Sequence, residues 1–114
     1  MIIDDAGIKG IKKSFGELEH SMKSLGFARW SWDYSKAYYD LKLPDDETKV
    51  DYYLRIRADV VDGVLEKKNS TVKLHNPLFV RHFFPHGMDP EAEIPEKMQQ
   101  TVEEAVSKVK EVLA

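Results

Sequence analysis

The fold is decided by the stretch FARWSWDYSKAYYDLKLPDDETKVDYYLRIRADVV, residues 27 to 61. Apolar and polar residues alternate along it in three successive runs, and much of the apolar side is aromatic. A period of two puts alternate side chains on opposite faces of a strand, so each run predicts a strand with one buried face. Three such strands joined by short connections most simply form an antiparallel meander. The apolar positions are Ala28, Trp30, Trp32 and Tyr34, then Ala37, Tyr39, Leu41 and Leu43, then Val50, Tyr52, Leu54, Ile56, Ala58 and Val60.

Length and composition predict a single domain over residues 1–114 in an ordinary globular protein. A chain of 114 residues buries roughly two thirds of the surface that its unfolded form exposes. The net charge of -3 disfavours binding to a phosphate backbone, so we expect no nucleic-acid partner. No apolar run approaches the ~20 residues of a membrane span, and Asp4 and Asp5 leave no room for a signal peptide. We therefore expect a cytoplasmic protein with no membrane partner.

Two helices flank the alternating stretch. Ser14 and Glu17 form a capping box, and an apolar stripe then continues to Leu25, where Gly26 suits a left-handed C-terminal residue. These signals predict a helix from about Phe15 to Leu25. A second amphipathic helix is predicted from about Pro95 to Leu113, because proline is preorganised for the first helical position.

The last hairpin has two possible turns, Asp62-Gly63 and Asn69-Ser70. The first would place a mostly polar segment opposite the centre of the third strand. The second pairs Leu65 with Leu74 and Glu66 with Lys73, and places Gly63 opposite Asn76-Pro77 at a shared bulge. We prefer the second, a long bent hairpin, and leave the first as the alternative.

A bulge of one residue in that hairpin would place Val60 opposite Val80 and Asp59 opposite Arg81. The even positions from Leu78 to Phe84 would then face the core. The predicted fold is therefore α+β: a helix, an antiparallel four-stranded meander with a long bent last hairpin, and a C-terminal helix, with both helices packed on one sheet face. The opposite, outer face would carry Asp51, Tyr53, Arg55, Arg57, Asp59, Phe79, Arg81 and Phe83.

Short motifs along nearly the whole chain resemble those of the YugN-like proteins, small single-domain proteins of Bacillus and its relatives. The resemblance implies a one-domain cytosolic protein and supplies neither a reaction nor catalytic residues. The motifs that carry it are Leu18 with Leu25-Gly26-Phe27, Trp32-Asp33-Tyr34, Tyr39-Asp40, Tyr52-Tyr53-Leu54-Arg55-Ile56, Val61-Asp62-Gly63, Val72-Lys73-Leu74, Asn76-Pro77-Leu78-Phe79-Val80-Arg81-His82 and Gly87-Met88-Asp89.

Two groups of residues on the predicted sheet, all on its outer face except His82, are candidates for binding. Guanidinium groups from adjacent strands, together with an imidazole, can clamp a carboxylate or phosphate. The plainer interpretation is cross-strand ion pairing, above all between Asp59 and Arg81. Exposed aromatic residues beside arginines are typical of protein interfaces. The ligand candidates are Arg55, Arg57, Arg81 and His82, and the interface candidates are Tyr53, Phe79 and Phe83.

Other chemistry finds little support in the sequence. His75, His82 and His86 lie close together but lack the spacing of a metal site, and without cysteine there is no thiolate chemistry. The aromatic residues Trp30, Trp32, Tyr34 and Tyr39 lie on the apolar sides of their runs, which predicts core packing rather than a stacking platform. We therefore expect no catalytic residues, no metal and no cofactor.

These observations lead to one hypothesis and one alternative. The preferred hypothesis is a non-enzymatic protein that associates first with itself, as a homodimer, through the outer face, with an unknown protein partner left open. The alternative is a binder or enzyme that holds a small anionic ligand with the Arg/His group. Arginines that are each paired with an aspartate would count against that alternative.

Overall fold

The computed structural model describes residues 1–4, 6–32, 35–65, 67–82 and 87–113, with the backbone alone for residues 30–32. Seven strands form one antiparallel sheet; one helix follows the first strand and the other follows the last. In chain order the elements are β1 (Lys12–Ser14), α1 (Phe15–Ser24), β2 (Ala28–Trp32), β3 (Lys36–Asp45), β4 (Val50–Asp62), β5 (Thr71–Leu74), β6 (Leu78–His82), β7 (Met88–Asp89), a 3-10 turn (Glu96–Met98) and α2 (Gln99–Leu113).

The sheet is organised around β4, a strand of 13 residues. One edge of β4 pairs with β3, which pairs in turn with β2. The other edge pairs with β5 at one end and with β6 at the other, and β1 and β7 extend these two short strands. The predicted α+β fold with its meander and long bent hairpin is confirmed, and β1 and β7 are additions to it.

The first helix begins and ends where its capping residues predict. The Ser14 hydroxyl accepts a hydrogen bond from the backbone N–H of Glu17 at 3.2 Å. At the other end Gly26 has φ +92°, and the N–H of Phe27 donates to the carbonyl of Met22 at 2.9 Å. This left-handed closure satisfies a carbonyl that the helix would otherwise leave unpaired.

Both helices contribute to one hydrophobic core, which defines the inner face of the sheet. Tyr39 is fully buried in this core, as its parity predicts, and Ile8 joins it from the N-terminal segment. Burial of each large apolar side chain contributes roughly 1.5–3 kcal/mol, so the shared core holds the helices to the sheet. The helical residues in the core are Phe15, Leu18 and Met22 from α1 and Val102, Val106, Val109 and Leu113 from α2.

The register of the last hairpin differs from both predicted turns. Lys73 pairs with Asp59, and Leu74 pairs with Ala58 rather than with Leu65. The chain between β4 and β5 is a loop instead of a tight turn, because Leu65 is fully buried in the core. Because the Leu65 side chain is anchored in the core, its segment cannot continue the β4 strand. The alternation of apolar and polar residues does not reveal this burial. The predicted Leu65–Leu74 pair is therefore wrong, and Glu66 of the other predicted pair lies outside the described residues.

The bend itself occurs where it was expected, between Leu74 and Leu78, since the returning strand is divided there into β5 and β6. The ladder has one irregularity between Val60 and Asp62 of β4. It has another at the bend, where the three residues between Leu74 and Leu78 face only the two residues between Arg55 and Ala58. The predicted extra residue at Asn76-Pro77 is therefore present, but it does not lie opposite Gly63. As a result Leu54 pairs with Phe79.

This register reverses the predicted faces of β6. Phe79 is 0% exposed on the inner face, where its ring stacks on that of Tyr52 with centroids 5.2 Å apart. Arg81 pairs with Tyr52, so it shares the inner side, whereas Val80 pairs with Tyr53 on the outer side. A shift by an odd number of residues exchanges every side chain between the two faces. The prediction placed Val80 opposite Val60, which is seven residues from its observed partner Tyr53.

Candidate functional site

The outer face is the side of the sheet away from the core. It combines aromatic, aliphatic and charged side chains from neighbouring strands, brought together by the β3–β4 and β4–β6 pairings. Its described members include Tyr38, Asp40 and Lys42 of β3, Asp51, Tyr53, Arg55, Arg57 and Asp59 of β4, and Leu78, Val80 and His82 of β6.

Arg55 is held tightly at the centre of this face. Its Nε and Nη2 atoms donate to the two carboxylate oxygens of Asp40 at 2.8 and 2.9 Å, which is a bidentate pair. The guanidinium also lies over the Tyr38 ring, 5.1 Å from its centroid. The hydrogen bond to Asp40 raises the pKa of Arg55 further above its already high value, so this group stays charged.

Arg57 forms a second bidentate pair one position along the same face. Its Nε and Nη2 atoms donate to Asp59 at 2.8 and 3.1 Å. The Nε2 atom of His75 lies 2.7 Å from the same carboxylate. Burial of Asp59 favours its neutral form, but the hydrogen bonds from Arg57 and His75 outweigh burial and lower its pKa.

A recess of about 360 Å³ opens on the outer face beside these pairs. The N-terminal residues wall one side, because the N–H of Ile3 donates to the carbonyl of Pro77 and the N–H of Phe79 donates to that of Met1, both at 2.8 Å. We call this the outer-face recess. It is lined by Ile2, Lys9, Tyr38, Arg55, Arg57, His75, Asn76 and Leu78.

The structure brings only part of the predicted arginine group together. Arg55 and Arg57 both line the recess, but Arg81 lies on the inner side, 3.4 Å from Asp89. His82 is on the outer side opposite Met88 and does not line the recess. The predicted convergence of three arginines is therefore wrong, because it depended on the slipped register of β6.

The predicted ion pair and interface residues need the same correction. Asp59 pairs with Arg57 and His75 rather than with Arg81. Phe79 is buried in the core and cannot contribute to a surface, whereas Tyr53 remains on the outer face. The predicted interface residue Phe83 lies outside the described residues.

Several residues of the recess escaped the sequence argument. Tyr38 was detectable in principle, since it has the opposite parity to buried Tyr39 in the same strand. Lys9, His75 and Asn76 carried no such signal, because the loops that bring them to β4 have no periodicity. Only the tertiary structure joins these side chains.

A separate charged cluster ties the β3–β4 turn to the start of α2. The Lys97 ammonium donates to Asp45 at 2.6 Å and lies 3.2 Å from Glu47. The Thr48 hydroxyl donates to the other Asp45 oxygen at 2.8 Å. Together, with the bond from Lys97 contributing most, these interactions lower the pKa of Asp45 to about 2. The cluster is a clamp between two elements, in which one ammonium group faces two carboxylates.

Within the described ranges, no group of three or more His, Cys, Asp or Glu side chains is arranged to hold a metal ion. No helix in that part of the chain has the length and apolar character to cross a membrane. His86, the third histidine of the weighed metal set, lies outside the described residues. The expected absence of a metal site stays a prediction.

Comparison with known proteins places the chain among bacterial proteins of related sequence. The model of the YugN-like family matches residues 5–111. The uncharacterized protein YlbA of Bacillus subtilis is 31% identical over 86 residues, which span 75% of this chain and 70% of YlbA. The uncharacterized protein YugN of the same organism is 32% identical over 94 residues, which span 82% of this chain and 69% of YugN.

A solved structure is similar over almost the whole chain. The crystal structure of the uncharacterized conserved protein YugN from Geobacillus kaustophilus HTA426 superposes with a TM-score of 0.85 at 25% sequence identity. The match covers 99% of this chain and 94% of that one. The shared architecture therefore includes the sheet, both helices and the strands that form the outer face.

Proposed function

This chain belongs to the YugN-like family, which confirms the predicted resemblance, and we propose that it is a non-enzymatic association module whose first partner is a second copy of itself. The observation that carries the proposal is the asymmetry of the sheet. Both helices contribute to the core on the inner face, while outer-face residues such as Tyr38, Tyr53 and Leu78 stay partly exposed. Asp40 and Val80, at 5% and 1% exposed, are the buried exceptions among the described members of the outer face. A cytoplasmic location, expected from the sequence, is part of the same proposal.

The composition of the outer face supports an interface. Tyr38 and Tyr53 lie there among arginines, and tyrosine and arginine are both enriched in protein interfaces. Leu78 pairs with Arg55 on this face, and Ile2, bridged to Leu78, is 64% exposed. These aliphatic side chains would gain from removal of water when a partner covers them.

The size and charge pattern of the face suit a second copy. The 42 residues of the seven strands, at roughly 3.3 Å per residue and ~4.8 Å between strands, make a face of roughly 670 Å². That is about the area each partner contributes to a standard interface. Acidic and basic side chains alternate across the face, so a two-fold axis can place Asp51 of one copy near Lys42 of the other.

The pairing of the arginines favours association over the alternative, an arginine clamp for an anionic ligand or substrate. Each of the three predicted clamp arginines has an aspartate partner: Arg55 with Asp40, Arg57 with Asp59, and Arg81 with Asp89. Such pairs neutralise the charge that a clamp would offer. At an interface the same pairs would be rigid polar contacts. Because each charge already has its partner within the monomer, part of the free-energy cost of removing water from it is already offset.

Sedimentation equilibrium of the wild type and two variants tests the proposal. Tyr53→Glu places a charge on the outer face, and Val112→Glu makes a matched change at an exposed position on α2, where Val112 is 48% exposed. We expect wild type and Val112→Glu to be dimers and Tyr53→Glu to be a monomer with an unchanged circular dichroism spectrum. A monomeric wild type, or a Tyr53→Glu protein that remains dimeric, would overturn the proposal.

A further inference from the structure

We propose that the outer-face recess is a binding site for a small organic monocarboxylate with an apolar body. This site differs from the predicted clamp, because it excludes Arg81 and His82 and includes Lys9, His75 and Asn76. The inference does not rest on the proposed association, since a ligand can enter the recess of a monomer.

The shape of the recess suits a small molecule. Its volume of about 360 Å³ lies at the lower end of the range of ligand pockets, roughly 300–1,000 Å³. An aromatic ring and two aliphatic side chains, those of Tyr38, Ile2 and Leu78, supply apolar wall, and Asn76 adds an amide. Ligand sites commonly combine such an apolar wall with a few polar groups that orient the ligand.

The charge of the recess selects the class of ligand. Its lining includes Lys9, Arg55 and Arg57, and none of the lining residues that the structure describes carries a carboxylate. Asp40 and Asp59 neutralise the two arginines from beside the recess. One positive charge therefore remains, and it resides on Lys9, which forms no ion pair within the described ranges.

A single residual charge is balanced by one carboxylate, whereas a phosphate dianion would leave negative charge in excess. The two arginines still contribute, because their hydrogen bonds to aspartates hold them in place before a ligand arrives. The pair with Asp40 uses Nε and Nη2 of Arg55, so a ligand carboxylate would approach Nη1. Donors held in position in advance reduce the entropic cost of binding.

Titration followed by ¹H–¹⁵N correlation NMR tests this assignment with three probes: 3-phenylpropanoate, its neutral isostere 3-phenylpropanamide, and inorganic phosphate. We expect saturable shifts with the carboxylate at Tyr38, Arg57 and His75, and binding by the amide at least ~10-fold weaker because it lacks the charge. Equal binding of carboxylate and amide, binding of phosphate alone, or no saturable shift with any probe would each overturn the assignment.

Matched variants locate the site. Lys9→Gln removes the uncompensated charge, and Lys42→Gln makes the same change on the outer face away from the recess lining. We expect Lys9→Gln to weaken 3-phenylpropanoate binding about tenfold and Lys42→Gln to leave it unchanged. Equal effects of the two variants would show that only the net charge matters and would overturn the site.

Repeating the titration in Tyr53→Ala separates this inference from association. Tyr53 lies on the outer face but does not line the recess. If the outer-face dimer exists, this variant weakens it and leaves the recess intact, so the carboxylate should bind at least as well as to wild type. Loss of saturable carboxylate binding in correctly folded Tyr53→Ala would overturn the recess as an independent site.

Discussion

Replacement of Asp40 by asparagine should destabilise the protein far more than a similar change elsewhere on the outer face. The carboxylate accepts two hydrogen bonds from Arg55, and its side chain is 4% exposed against 16% for Arg55. Removing one member of a buried ion pair costs about 3–5 kcal/mol, because the other charge is left buried without its partner. Asparagine retains one acceptor oxygen and Arg55 keeps some water contact, so we expect a loss of about 2–3 kcal/mol.

The measurement is urea denaturation followed by tryptophan fluorescence. In a thermal scan of a chain of 114 residues, the expected loss in free energy of unfolding corresponds to a fall of roughly 8–12 °C in the melting temperature. Asp51→Asn is the control, since Asp51 and its partner Lys42 are 3.5 Å apart with side chains 35% and 59% exposed. An exposed pair contributes about 0–1 kcal/mol, so this control should be nearly neutral.

Arg55→Met extends the comparison by leaving the more deeply buried charge, that of Asp40, without its partner. It should cost at least as much as Asp40→Asn, and the double variant should cost less than the sum of the two. Equal and small losses for Asp40→Asn and Asp51→Asn would refute the reasoning, because they would mean that burial does not strengthen this pair.

Three further predictions concern the register, the turn clamp and the first helix. Phe79→Ala should lower the free energy of unfolding by about 3–5 kcal/mol and Tyr53→Ala by far less, as judged by chemical denaturation, and the reverse order would contradict the observed faces of β6. The lowered pKa of Asp45 means that its carboxylate stabilises the fold above its ordinary pKa near 3.8 and that this stabilisation disappears as the pH falls through about 2. The melting temperature should therefore fall less between pH 5 and pH 2 for Lys97→Met than for wild type. Equal falls in the two proteins would exclude the clamp. Ser14→Ala should cost about 1 kcal/mol in equilibrium denaturation, since the N–H of Glu17 loses its acceptor, and Ser14→Asp should restore most of it.

The elements of this protein were accessible from the sequence because their signals are local. The caps Ser14 and Gly26 define α1 from side chains a few residues apart. Alternation in β3 and β4 identifies buried positions such as Tyr39, since the period of a strand is set by its own backbone. The α+β class and the family resemblance depend on such signals.

The site was only partly accessible, because it depends on how distant segments meet. Alternation placed Arg55 and Arg57 on one face of β4, and this placement is confirmed. It also assigned Phe79 and Arg81 to that face, and this was wrong, since parity within β6 says nothing about its alignment with β4. The alignment depends on the loop before β5, where Leu65 is buried in the core, and on the extra residue in the bend between Leu74 and Leu78.

The sequence by itself therefore determined which segments are strands and helices and which side of β3 and β4 is buried. Only the tertiary structure decided the register of β6 and the pairing of each arginine with an aspartate. It also brought Lys9 and His75 to the recess. The physical reason is the range of the interactions: capping and periodicity act within a few residues, whereas register is set by the packing of side chains far apart in the chain.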